Sequence, residues 1–227
     1  MTKPALVLLP GLLCDESVWA FQIERIKSYA DVIVPKLDRY DSVDLMIDYI
    51  LSVSPSSFML AGHSMGGWLA LELMRNHSNR VTKLCVLASS AALDKPGKKR
   101  LREQSIKLYS KKSAHCLAEQ FTKRYVYKPE ITQQVVEMFE RNMRDFVFQQ
   151  QVLLHRTSCL DVLPTITVPT TVVVGKNDSE FYAQSIEMAN KIKDARLISV
   201  DDCGHMLMLE QPQACSDILL HFLEVTV

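Results

Sequence analysis

Short, continuously apolar runs recur along this chain, separated by longer stretches in which apolar residues return every third or fourth position. The apolar or β-branched runs fall at residues 6–9, 32–34, 58–61, 84–88, 171–174 and 197–200. Their lack of strict alternation predicts parallel strands covered on both faces. Between them, residues 17–28, 42–53, 65–76, 180–191 and 213–223 carry the periodicity of amphipathic helices. Strand and helix in turn predict an α/β fold with a doubly wound, mostly parallel sheet. In such sheets ligands bind beyond the carboxyl ends of the strands.

The alternation stops between residues 94 and 158. Helix formers dominate at 98–112, 113–125 and 131–154, and Pro96-Gly97 and Lys128-Pro129 punctuate the segment. A helical insertion between the fourth and fifth strands would lie over the strand ends as a lid. The expected organisation is a core built from residues 1–93 and 159–227, with a helical cap over 94–158.

One turn in this frame carries chemistry. The apolar run Phe58-Met59-Leu60-Ala61 leads into Gly62-His63-Ser64-Met65-Gly66, and a helical pattern follows from Met65. A serine on so sharp a strand-to-helix turn is strained, and small residues two before and two after it, Gly62 and Gly66, relieve the crowding. The helix then aims its first amides at any oxyanion formed beside Ser64. A nucleophilic serine is the expectation.

Bulk properties narrow the alternatives. The 227 residues suffice for one large domain with an insertion, and 48% hydrophobic with 23% charged residues is the balance of an ordinary globule. A formal net charge of +0 argues against nucleic acid as the main partner. The six cysteines, at 14, 85, 116, 159, 203 and 215, are scattered with no C-x-x-C pair. They form neither a disulfide framework nor a zinc pattern, and Cys85 reads as a small core residue. The apolar stretch 5–9 is too short for a signal peptide or a membrane span. The chain is expected to be cytoplasmic, without a membrane span, metal or cofactor.

A serine hydroxyl needs a general base, and the base needs an orienting acid. Of six histidines, His205 alone follows a predicted strand end on a glycine-containing loop, Cys203-Gly204-His205-Met206. His63 adjoins the serine but points away from it. The acid belongs between serine and histidine in chain order, and Asp178 ends the run Val172-Val173-Val174-Gly175-Lys176-Asn177. Asp202 and Asp201 are its competitors, and an N-cap for the helix from Glu180 is the plain alternative for Asp178. The oxyanion donors are expected to be the backbone amides of Met65 and of Leu12, on the loop after the first strand, where Gly11 lets the backbone pass close to Ser64.

Leu9-Pro10-Gly11-Leu12, Gly62-His63-Ser64-Met65-Gly66-Gly67, Gly175-Lys176-Asn177-Asp178 and Asp202-Cys203-Gly204-His205 together resemble the motifs of the α/β-hydrolase family, in order and spacing over nearly the whole chain. Within that family the chain resembles small carboxylesterases such as the carrier-protein methyl-ester esterases. The resemblance implies a capped, mostly parallel sheet shortened at its N-terminal edge, and a Ser64–His205–Asp178 triad. Two departures stand out. Pro10-Gly11 replaces the His-Gly of many relatives, which keeps the amide but loses a side-chain donor. Lys36-Leu37-Asp38-Arg39-Tyr40-Asp41 replaces a longer glycine- and histidine-bearing motif at the rim.

Leu13, Trp19, Phe121, Phe139, Met143, Phe146 and Met206 are the candidate substrate-binding residues, with Leu12, Met65 and Leu93 beside them. An apolar acyl group fits such a lining. Residues 94–112 hold eight basic and two acidic residues, a net +6. Such a run is ordinarily a solvated helix face, or else a docking surface for an anionic partner such as an acyl carrier protein. The expected activity is hydrolysis of a small carboxylic ester or thioester, free or carrier-bound, through an acyl-Ser64 intermediate. A lyase or acyltransferase using the same triad is an alternative, and would need Arg124, Arg141, Arg144 or Arg156 facing the cavity. A low-turnover ligand receptor of the same fold is another.

Overall fold

The computed structural model describes residues 3–38 and 40–224. Arg39 of the rim segment and the first two and last three residues of the chain lie outside them. Six strands, β1 (Ala5–Leu9), β2 (Asp31–Ile33), β3 (Phe58–His63), β4 (Val81–Leu87), β5 (Thr170–Gly175) and β6 (Arg196–Val200), form one sheet in the order β2-β1-β3-β4-β5-β6. Every pairing is parallel. All six lie where the apolar runs place them, longer or shorter by a few residues at their ends.

The helices are α1 (Ala20–Ile26), α2 (Val43–Val53), α3 (Met65–His77), α4 (Pro96–Tyr109), α5 (Ala114–Tyr125), α6 (Thr132–Arg141), α7 (Phe146–Leu154), α8 (Tyr182–Lys191), α9 (Leu207–Glu210) and α10 (Pro212–Phe222). Leu6, Val7, Leu8 and Leu9 are all fully buried, so helices cover β1 on both faces. That explains why its sequence does not alternate. Packing pairs α1 with α10 and α2 with α3, while α3 also lies on β3 and β4.

The four helices α4 to α7 occupy the stretch between β4 and β5, and no strand interrupts them among the described residues. One expectation is corrected here. The helix expected over 131–154 breaks at Asn142 into α6 and α7, with a short 3-10 turn at Met143–Asp145 between them. Asn142 supplies the reason. Its side chain donates back to Met138 O of α6 at 2.9 Å and outward to Asp15 Oδ2 at 2.8 Å, which closes the end of α6 and ties it to the loop after β1.

The chain passes from β1 outward to β2, then crosses back to β3 on the other side of β1. The loops leaving β1 and β3 therefore diverge, and a crevice opens between them at the carboxyl edge. Ser64 stands at that point. Cys14, Cys85, Cys159, Cys203 and Cys215 are buried, and burial pushes the Cys85 and Cys159 thiols up to about 12. They act as small apolar residues. Among the described residues no helix is long and apolar enough to cross a membrane, and no group of three or more His, Cys, Asp or Glu side chains is placed to hold a metal ion.

Candidate active site

Ser64 adopts φ 55° and ψ −114°, a left-handed conformation unusual for a residue with a side chain. Close packing holds it there. A Cβ on Gly62 would come within 2.3 Å of Gly66 O, and one on Gly66 within 2.3 Å of Leu9 O. Ser64 N donates to Leu87 O at 2.9 Å, and Ser89 Oγ donates to Ser64 O at 2.7 Å. Strand, helix and neighbouring strand thus fix the turn that presents the hydroxyl.

His205 meets that hydroxyl. Its Nε2 lies 3.0 Å from Ser64 Oγ, and its Nδ1 lies 2.7 Å from Asp178 Oδ2. The second oxygen of Asp178 accepts from the amides of Glu180 at 3.1 Å and Phe181 at 3.0 Å. The two alternatives for Asp178, partner of His205 and anchor of the turn into α8, are therefore both occupied, one by each oxygen. Asp202 and Asp201 are engaged elsewhere, with Lys128 at 2.8 Å and Lys176 at 2.5 Å.

Residues that sequence patterns do not reveal hold the imidazole in place. Phe181 stacks on it with ring centres 4.9 Å apart, and Tyr125 of α5 lies 4.9 Å away on a tilted ring. His63 packs at 4.8 Å, and its Nε2 lies 3.0 Å from the backbone oxygen of His205. Only a protonated Nε2 can donate to a carbonyl, which fixes the His63 tautomer. Burial, with the neighbouring His205, lowers the His63 pKa to about 3, so the ring is neutral at physiological pH. Glu210, also buried, accepts from the amides of Gly204 and of Tyr127, the latter at 3.1 Å. It ties the loop carrying His205 to the segment just after α5. Glu210→Gln puts an NH₂ against one of those amides and is expected to lower kcat on the order of tenfold. Steady-state kinetics on a p-nitrophenyl ester reads this, and an unchanged kcat excludes a positioning role for the carboxylate.

Leu12 and Met65 border the space in front of Ser64. No protein hydrogen bond leaves either amide among the described residues, so both are available as donors. Gly11 brings the first loop close, since a Cβ there would sit 2.8 Å from His63 Nδ1 and 3.2 Å from Ser64 Cβ. Leu13, at φ 60°, turns the chain away, and its amide donates to Gln149 Oε1 of α7 at 2.9 Å. Gln149 Nε2 in turn donates to Leu37 O at 2.9 Å, which clamps the first loop to the inserted helices.

The space itself is small, about 20 Å³, and is lined by Leu12, Ser64, Met65, Lys98, Arg102, Tyr125, Leu153, Arg156 and Phe181. This corrects most of the expected substrate-binding set. Leu13, Trp19, Phe139, Met143, Phe146 and Met206 are buried in the hydrophobic core and do not line it. Phe121 of α5 lines an adjoining cavity of about 210 Å³ that shares Lys98, Arg102 and Tyr125 with this space, and Leu93 lies in an open cleft of about 830 Å³ beside His205. Large apolar side chains gain most by complete burial, so they became core rather than cavity wall. The basic run is likewise divided. Lys98 and Arg102 turn inward to the cavity, while Lys95, Arg100, Lys107 and Lys111 are exposed.

The chain belongs to the α/β hydrolase family, whose sequence profile matches residues 6–218. It is 23% identical to a pimeloyl-[acyl-carrier protein] methyl ester esterase of Aromatoleum aromaticum, over 96% of this chain and 98% of that protein. It is 20% identical to the monoacylglycerol lipase ABHD6 of Homo sapiens, over 97% of this chain and 75% of the lipase. Among solved structures, a thermophilic esterase from Thermogutta terrifontis superposes with a TM-score of 0.88 at 23% identity, covering 98% of this chain and 90% of the esterase. An enol-lactonase from Burkholderia xenovorans gives 0.87 at 20% identity, covering 99% and 92%.

Proposed function

We propose that this protein is a serine hydrolase that cleaves a small carboxylic ester or thioester through an acyl-Ser64 intermediate. The observation that carries the reading is the continuous chain Ser64 Oγ–His205–Asp178, with contacts of 3.0 and 2.7 Å on the strained turn after β3. His205 Nε2 takes the hydroxyl proton as Ser64 Oγ bonds to the carbonyl carbon. The Leu12 and Met65 amides hold the oxyanion. The tetrahedral centre then collapses, the alcohol or thiol leaves with the proton from His205, and a water activated by the same base releases the acid. Helices α4 to α7 act as a lid over this centre, because α4 and α5 supply Lys98, Arg102 and Tyr125 to the cavity wall.

The names of the two relatives, a carrier-protein methyl ester esterase and a monoacylglycerol lipase, are those of ester hydrolases and support the same class. A fluorophosphonate probe tests the reading. Stoichiometric labelling at Ser64, with turnover of p-nitrophenyl esters from acetyl to dodecanoyl, is the expected result. An accessible Ser64 that stays unlabelled would falsify it.

Arg156, buried at the cavity wall, keeps a second reading in view, in which the same triad serves lyase or acyl-transfer chemistry. Turnover in heavy-oxygen water separates the two. Hydrolysis places the label in the product acid, and the other chemistries do not.

A further inference from the structure

The space in front of Ser64 is charged. Of the residues that line it, Lys98 and Arg102 of α4 and Arg156 beyond α7 are cationic. The side chains of Arg102 and Arg156 are only 9% and 4% exposed. Counter-charge is scarce. Asp94 receives Arg102 Nε, with Lys98 Nζ at 3.4 Å and Arg156 Nη1 at 3.8 Å. Glu180 receives Lys98 Nζ at 2.5 Å and Arg124 Nη2 at 2.9 Å. Four cations therefore share Asp94 and Glu180; Glu72, whose charge also reaches Arg156, is bonded to Arg75 and Thr157, and the nearby Asp178 is committed to His205 and to backbone amides.

Arg156 is the least well served of the four. Its Nη2 donates to Ser90 O at 2.7 Å, and its guanidinium carbon lies 5.1 Å from the Trp68 ring centre. Its Nε is buried with no hydrogen-bond partner among the described residues. Arg102 spends Nε on Asp94 and Nη1 on Gln150 Oε1, at 2.9 Å for the latter, and its Nη2 has no protein partner among the described residues. Burial lowers the Arg156 pKa, yet a guanidinium keeps its proton in a protein. Two buried cations short of counter-charge beside a nucleophile create a strong local demand for an anion. A planar guanidinium matches a carboxylate in shape and hydrogen bonding.

We infer that the ester attacked by Ser64 carries a carboxylate of its own, received by Arg102 and Arg156 with Lys98 beside them. Leu12, Leu153 and Phe181 lie on the same wall, and because this space holds little more than a water, the rest of the ester extends into the adjoining cavities of about 210 and 830 Å³, which share Lys98 and Tyr125 with it. A fully neutral ester bound against this wall would leave the surplus positive charge of the buried Arg102 and Arg156 without a partner. The inference rests on the hydrolase reading and narrows its substrate class.

The carboxylate belongs either to the acyl half or to the alcohol half of the ester, and two substrate pairs separate these cases. Monomethyl glutarate is compared with dimethyl glutarate, and acetoxyacetate with its methyl ester. The intact chain is expected to give a kcat/KM about ten- to a hundredfold higher for the charged member of at least one pair. The pair showing the preference identifies the half. Arg102→Gln and, separately, Lys98→Gln are each expected to lower that charged-to-neutral ratio about tenfold. A measurement without turnover accompanies them. Glutarate should raise the melting temperature of Ser64→Ala protein in a saturable way, and the rise should disappear when Arg102→Gln is added.

Equal or lower kcat/KM for both charged esters, with Ser64 still labelled by the fluorophosphonate, overturns the carboxylate and leaves the hydrolase reading intact. Absence of both labelling and ester turnover overturns the two together. A preference that survives both single variants also overturns the assignment to this cluster.

Discussion

Ser64→Ala is expected to lower kcat by about 10⁴- to 10⁶-fold, with substrate binding little changed. The loss is large because the serine, the base and the acid act as a unit, so removing the nucleophile forfeits nearly everything the other two contribute. The alanine keeps the Cβ that already fits between Gly11 and its neighbours, so the fold should persist. Circular dichroism establishes that the variant is folded, and burst kinetics with a p-nitrophenyl ester measures the residual rate. A folded variant retaining more than about a hundredth of the wild-type kcat would exclude Ser64 as the nucleophile.

Asp178→Asn should come next in size, at about 10⁴-fold in kcat. Two effects are joined at this residue. The oxygen facing His205 Nδ1 fixes the tautomer that leaves Nε2 free to accept the Ser64 proton. An amide NH₂ in its place faces Nδ1 with a donor and selects the opposite tautomer. The other oxygen accepts from Glu180 and Phe181, and Asn retains one acceptor for that turn. Stability should therefore fall by less than about 1 kcal/mol, while activity collapses. Asp178→Ala loses both functions, so its melting temperature should drop below that of the Asn variant. Equal activity of Asp178→Asn and wild type would remove the acid from the mechanism.

Much of this fold was legible because its signal is a period. Continuous apolar runs marked β1, β3, β4 and β5, whose carboxyl-terminal residues are buried on both faces. The turn after β3 was legible because close approach admits only glycine at 62 and 66, and such an exclusion leaves a trace in the sequence. The same holds for Asp178 and His205, whose strand-end positions singled them out and which the structure places within hydrogen-bonding reach of each other and of Ser64. The cavity wall left no comparable trace. Hydropathy assigns Phe146 and Leu153 alike to an apolar environment, and both are buried in the core, yet Leu153 also borders the space at Ser64 and Phe146 does not. Only the tertiary arrangement separates them. Lys98 and Arg102 were hidden for the opposite reason, since a helix rich in cations looks solvated until the buried Asp94 draws one side inward. There, burial alone would raise the Asp94 carboxyl, but Arg102, Lys98 and Arg156 hold it below the usual carboxylate range. Glu210 and Gln149 were missed because a single polar residue in a helix gives no hint that it is buried and bonded to a distant loop.

The backbone at residue 64 also carries a thermodynamic consequence. At φ 55° and ψ −114° a side chain costs about 1–3 kcal/mol, and a glycine costs far less. Ser64→Gly should consequently melt above Ser64→Ala, although it creates a void where Cβ stood. Selection for a stable chain alone would favour glycine at this turn. Under the proposed hydrolase function the serine is a standing deficit in stability, offset by the surrounding core, in which part of the margin against unfolding is exchanged for reactivity.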